Sequence, residues 1–194
     1  MGMLTERDIN LYNESGYVVP DFQLDAEIVE EIGFYHDHLI KKHPEYSDYC
    51  PAVLCYETGF LKFARIPEIL DMVEQLIGPD FALWNSSFFA KPAKVGSKTP
   101  WHQDEAYWSP DVYLNSLSVW MPLDGASQES GCMQFIPGSH MKEVKEHRHI
   151  DNNPLIHGLV TDEVDSSAAV ACPLSPGGAT FHHSRTLHYT APNR

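Results

Sequence analysis

Apolar residues recur at helical spacing three times in the first eighty positions. After Asp25, a suitable N-cap, Ile28, Val29, Ile32, Tyr35, Leu39 and Ile40 return every few positions until the His43-Pro44 break, predicting a helix. A shorter helix is predicted from Thr5, with Leu4, Ile9, Leu11 and Tyr12 as its apolar contacts before Gly16. A third begins near Pro67, a favoured first-turn residue, and runs through Ile69, Leu70, Val73, Leu76 and Ile77 to Gly78-Pro79. From Phe81 the pattern changes. The runs FALWNSSFFAK, YLNSLSVWMPL, CMQFIP, AAVACPL, ATFHH and TLHYTA predict strands, separated by turn-rich connections such as PAKVGSKTP and LSPGGA. The fold class is therefore mainly β, a sandwich or jelly roll with helices packed in front. Residues 1–194 form a single domain on this basis, 1–80 mostly helical and 81–194 the β core.

Composition narrows the setting. A chain of 194 residues, 43% of them hydrophobic, buries one sizeable core and needs no second domain. Its formal charge of −14 repels phosphate backbones and anionic membrane surfaces, so neither nucleic acid nor membrane is expected as a partner. Cys50, Cys55, Cys132 and Cys172 form no C-x-x-C pair, the N-terminal MGMLTERDIN has no apolar stretch of signal-peptide type, and no run reaches membrane-spanning length. A soluble, cytoplasmic protein is expected.

Candidate chemistry starts at PWHQDEAYW. His102 and Asp104 stand two apart, so in an extended segment their side chains share a face and can meet one metal. Spacing alone is weak, because 11 His and 27 acidic residues in 194 positions give about 1.5 H-x-[DE] matches by chance. The other two matches, His43-Pro44-Glu45 and His149-Ile150-Asp151, sit in polar sequence and read as solvated loops. Trp101, Tyr107 and Trp108 surround the third and supply the apolar wall a reactive metal site needs. A facial triad requires another His. Of the downstream candidates, His140 ends a turn-like PGSH, whereas His147, His149 and His157 occupy polar sequence and read as surface residues. His182, His183 and His188 lie in ATFHHSRTLHYTAPN, which follows the Gly177-Gly178 turn and reads as a hairpin whose second arm presents His188. His188 is the expected third ligand.

Together PWHQDEAYW, SGCMQFIPGSH and LHYTAPN resemble the phytanoyl-CoA dioxygenase family of Fe(II)- and 2-oxoglutarate-dependent oxygenases. The likeness runs from about Gly16 to Arg194, including the GYVV opening and the AKP stretch at Ala90 to Pro92. It implies a cupin-like double-stranded β-helix with His102, Asp104 and His188 as catalytic iron ligands. It also implies a 2-oxoglutarate site in which Asn85 is an amide on the strand before H-x-D, Ser87 shares its face, Trp120 lines the cavity and Thr190 holds the far carboxylate. Tyr107 and Trp108 would wall the substrate pocket. The implied activity is hydroxylation of a C–H bond of a small molecule, with Fe(II), 2-oxoglutarate and dioxygen as cofactor and co-substrates. Asp104 argues against halogenation, since halogenating relatives lack this carboxylate, and the acidic balance disfavours a large polyanion such as a CoA ester. The family also places an arginine about eleven residues beyond the distal His. This chain ends at Arg194, so a truncated chain lacking its last strand is expected, with weak 2-oxoglutarate binding unless Arg185, Arg194 or a lysine such as Lys91 substitutes. The alternative is a non-catalytic metal-binding jelly roll in which the same three residues hold another divalent ion.

Overall fold

The computed structural model describes residues 4–108, 115–150, 158–162 and 164–194. The beginning of the YLNSLSVWMPL run, Asp151 and His157 lie outside them.

All three helices appear where their caps place them. In α1 (Glu6–Ser15) the Thr5 hydroxyl accepts from the Asp8 N–H while the Asp8 carboxylate accepts from the Thr5 N–H, a capping box, and Gly16 closes the helix at φ 81. Gly16 is required twice, because a Cβ there would meet His140 Nδ1 at 2.4 Å and the Thr186 hydroxyl at 2.5 Å. Replacing Thr5 by alanine removes the hydroxyl arm of the box and leaves the backbone N–H to Asp8, and chemical denaturation is expected to register a loss of about 1 kcal/mol. Next come α2 (Ala26–Lys42) and α3 (Pro67–Ile77). Between them the chain makes three 3₁₀ segments, the longest Thr58–Arg65, which bury Phe60 and Phe63 and which the periodicity does not predict.

The strands are short. They are β1 (Tyr17–Val18), β2 (Tyr49–Cys50), β3 (Phe88–Phe89), β4 (Thr99–His102), β5 (Leu117–Trp120), β6 (Met133–Phe135), β7 (Arg148–His149), β8 (Leu159–Val160), β9 (Val170–Cys172), β10 (Thr180–His183) and β11 (His188–Thr190). Among the described residues every pairing is antiparallel. One sheet has the order β1-β10-β5, a second β4-β11-β6-β9, and β2-β3 and β7-β8 are two-stranded ribbons.

Period-two alternation divides the first sheet between two cores. Val18, Phe181, Leu117 and Val119 pack with the helical layer, against residues such as Leu24, Ile32, Leu39 and Met72. Their neighbours point to the second sheet. There Tyr17 stacks on Phe135 with ring centroids 4.4 Å apart, Trp120 joins the same cluster, and the His182 ring lies 5.2 Å from that of Phe135. The candidate chemistry occupies this space between sheets. The strand predicted over 81–91 shrinks to β3, leaving 81–87 as an exposed loop whose Asn85 and Ser87 are off any strand. The alternation of that run does not bury a face, so no ladder forms along it.

Candidate metal centre

β4 and β11 are neighbours, and their register sets His188 directly opposite His102. The cross-strand pairing thus brings together residues 86 positions apart in sequence. Beyond β4, Gln103 remains extended (φ −126, ψ 131) before Asp104 starts a 3₁₀ turn, so Asp104 returns to the face of His102. Gln103 is itself buried and fully engaged. Its N–H donates to His147 Nε2, its side-chain amide donates to the Arg185 carbonyl and its amide oxygen accepts from the Lys145 N–H. Glu105 adds a second tie, accepting from Arg185 Nε at 2.9 Å and from the Ser184 hydroxyl at 3.0 Å. These contacts fix the H-x-D segment against the loop that leads into His188.

One donor atom from each of His102, Asp104 and His188 falls within 4.8 Å of the others. Asp104 Oδ1 is 3.5 Å from His102 Nε2 and 3.6 Å from His188 Nε2. In both histidines Nδ1 faces a backbone carbonyl two residues earlier, Pro100 O at 2.8 Å and Thr186 O at 2.9 Å. A carbonyl can only accept, so Nδ1 carries the proton and the Nε2 lone pair is directed at Asp104. Burial pushes His188 well below the ordinary histidine range, assisted by His102, and keeps it neutral. For Asp104, burial opposes ionisation, whereas positive charge on the surrounding His188, His102 and His182, or on a cation held between them, keeps the carboxyl well below the usual carboxylate range. Two imidazole lone pairs and one carboxylate oxygen therefore converge with no hydrogen between them. Only a cation relieves that arrangement, and two His with one carboxylate are the donor set of non-haem Fe(II).

The same criterion discriminates among the remaining histidines. His182 is buried and near, with Nε2 3.6 Å from Asp104 Oδ2, yet its Nδ1 meets no hydrogen-bond partner among the described residues, so nothing holds its Nε2 lone pair free. His183 faces the other way, towards His140 and Tyr12. Burial, with His140, lowers His183 to about 4. The unfolded chain takes up this proton near pH 6.5 and the folded chain only near 4, so acid favours unfolding across that window. Urea denaturation of the metal-free protein is expected to lose about 2 kcal/mol between pH 7 and pH 5 through this group, a component that His183→Gln removes.

Several expectations are corrected. Trp101 does not wall the site, because alternation along β4 turns it to the opposite face, where it stacks on Tyr189 at 5.2 Å. His147 is no surface residue but half-buried, accepting from Gln103. His149 is exposed, as expected. Asn85 sits on the exposed loop with its amide donating to the Pro51 carbonyl, and Ser87 is exposed beside it. Arg185 pairs with Glu105, and Arg194 is exposed at a backbone contact with Glu129. Tyr107 lies 6.4 Å from the His102 ring, and Trp108 meets the exposed Trp84 edge-on, so an aromatic rim stands on that side. Thr190 is buried, and Lys91 Nζ donates to its hydroxyl and to the Thr190 and Ala191 carbonyls. Among the described residues those partners are all neutral oxygens. Burial accordingly brings Lys91 down to about 8.

Comparison with known proteins agrees with this geometry. A family model described as phytanoyl-CoA dioxygenase matches residues 36–194. The chain is 31% identical over 133 residues to a probable alpha-ketoglutarate-dependent hypophosphite dioxygenase of Stutzerimonas stutzeri, covering 66% of this chain and 46% of that protein. It is 27% identical over 205 residues to a methylphosphonate hydroxylase of Gimesia maris, covering 98% of this chain and 75% of that one. The crystal structure of EvdO2 from Micromonospora carbonacea var. aurantiaca, complexed with 2-oxoglutarate, superposes with a TM-score of 0.83 at 31% identity, covering 99% of this chain and 86% of that one. The chain spans about half the length of the hypophosphite dioxygenase it resembles.

Proposed function

This chain belongs to the phytanoyl-CoA dioxygenase family, and on that premise we propose that it is an Fe(II)- and 2-oxoglutarate-dependent dioxygenase hydroxylating a C–H bond of a small molecule. The convergence of two tautomer-fixed imidazoles and one ionised carboxylate carries this reading. His102, Asp104 and His188 hold the iron. As three protein donors, they would leave room on a bound ion for 2-oxoglutarate and dioxygen. When bound, iron in such a site supplies the redox chemistry that couples decarboxylation of 2-oxoglutarate to hydroxylation.

The chain's own residues do the positioning. Lys91 and Thr190 bind the far carboxylate of 2-oxoglutarate, since a half-buried ammonium with only neutral partners is matched by an anion. Trp120, turned into the space between sheets, walls the same cavity. Tyr107 and Trp108 form the substrate side and keep water away from the metal. Asn85 and Ser87 have no strand to aim them, so they are left out of this assignment. The two facing antiparallel sheets, with β4 and β11 adjacent, are read as the open form of a double-stranded β-helix. A solved relative at 31% identity that is complexed with 2-oxoglutarate supports the co-substrate. The test is anaerobic reconstitution with Fe(II), followed by release of carbon dioxide from labelled 2-oxoglutarate on admitting oxygen. Release that needs both iron and oxygen supports the proposal, and none in a metal-loaded protein refutes it.

A further inference from the structure

We propose that Ser118 and His182 are positioning residues that turn the Asp104 carboxylate into a one-oxygen ligand. The inference rests on Asp104 being a metal ligand, as above. Its two oxygens are divided between the two sheets. Oδ1 faces His102 and His188 of the second sheet at 3.5 and 3.6 Å. Oδ2 faces the first sheet, where Ser118 Oγ donates to it at 2.6 Å and His182 Nε2 stands 3.6 Å away. Ser118 and His182 are directly opposite each other in the pairing of β5 with β10, so one register sets both against the same oxygen.

The tautomer of His182 follows from its surroundings. A proton on Nδ1 would be a buried donor with no acceptor among the described residues, at a cost of about 1–3 kcal/mol, and would turn the Nε2 lone pair against a carboxylate oxygen. With the proton on Nε2 the donor points at Oδ2, and only an acceptor goes without a partner. His182 is thus the converse of His102 and His188, where the Pro100 and Thr186 carbonyls hold the proton on Nδ1 and turn the Nε2 lone pair towards Asp104. Three buried histidines surround one carboxylate, two presenting lone pairs beside Oδ1 and the third presenting a hydrogen to Oδ2. The last torsion of an aspartate is broad and nearly two-fold, so an unheld carboxylate swings readily to offer both oxygens. A second oxygen on the ion would occupy a position that 2-oxoglutarate or dioxygen requires. Ser118 and His182 prevent this.

The experiment is titration of the metal-free full chain with Co(II) alone, followed by affinity and by the visible absorption of the bound ion. Ser118→Ala and His182→Phe are expected to weaken binding by about 10–100-fold and to alter the spectrum through the freed second oxygen. Ser118→Thr keeps the hydroxyl and His182→Gln keeps an N–H at similar reach, so both are expected to restore affinity and spectrum. The inference is overturned if Ser118→Ala and His182→Phe bind Co(II) as the parent does with an unchanged spectrum. It is equally overturned if the losses are not rescued by the conservative pair and accompany a changed near-ultraviolet dichroism, which marks packing instead. A different failure lies upstream. If the parent's Co(II) binding is untouched by His102→Ala, the metal site itself is misassigned and the positioning role goes with it.

Discussion

Asp104→Ala is expected to abolish iron-dependent turnover and to lower metal affinity at least about a thousandfold, while circular dichroism stays that of the parent. At an effective dielectric of about 20, one unit charge at 4 Å contributes about 4 kcal/mol to binding a unit cation, and a divalent ion in contact with the carboxylate gains more. The fold tolerates the change because the carboxylate is not part of the packed core. In the metal-free protein its Oδ1 faces two imidazole lone pairs without a hydrogen between them, so its removal relieves crowding instead of breaking a bond. What is lost in the metal-free state is the hydrogen bond from Ser118 and the oxygen that His182 Nε2 faces at 3.6 Å, both on Oδ2. His102→Ala removes a neutral ligand and leaves the charge, so its metal affinity falls less steeply although turnover is lost as well. Unchanged turnover in a metal-reconstituted Asp104→Ala protein would sink the mechanism.

The parts of this architecture visible in the sequence are those governed by neighbours along the chain. Thr5, Asp25 and Pro67 mark helix starts through residue types favoured at those positions, Thr5 alone of the three making a side-chain cap bond, and all three helices begin at the next residue or at the proline itself. The H-x-D pair was legible for the same reason, since one extended residue suffices to bring His102 and Asp104 to one face. Strand lengths were not, because a run such as FALWNSSFFAK has the residue types of a strand but needs a partner ladder, and only Phe88 and Phe89 find one, against β2. β4 shows the converse. Thr99-Pro100-Trp101-His102 follows a Gly, Ser and Lys run that reads as turn, yet β11 recruits it into the second sheet. Gln103 and Ser118 carry no sequence signal, and His182 stands in the sequence only as a candidate third ligand, since each acts through a contact between distant segments. Only the alternation of His182 with the core residue Phe181 carried a local signal. Lys91 was named only as a possible substitute, and its proximity to Thr190 spans 99 residues of sequence.

Lys91→Ala is expected to raise the dissociation constant for 2-oxoglutarate by about 10–100-fold, the equivalent of one charge-assisted hydrogen bond of about 1.5–3 kcal/mol. The ligand-free protein holds a mismatch at Lys91. An ammonium that burial has brought down to about 8 gives its hydrogens to Thr190 and Ala191, none of which returns a negative charge. A bound carboxylate supplies that charge and favours the protonated form, so binding should strengthen as Lys91 protonates. The sign is testable, because affinity should hold below about pH 8 and decline above it as the free protein's ammonium is neutralised. Lys91→Arg keeps the charge but exchanges a point donor for a planar fork, and an intermediate affinity is expected. Thr190→Val removes one neutral contact and should cost less than Lys91→Ala. Anaerobic calorimetry with Fe(II) present measures each. Arg185→Ala is the informative contrast, since Arg185 already pairs with Glu105 beside the H-x-D turn. If Lys91→Ala binds 2-oxoglutarate as the parent does and Arg185→Ala does not, the carboxylate clamp lies at the Glu105 side of the site and the assignment of Lys91 is wrong.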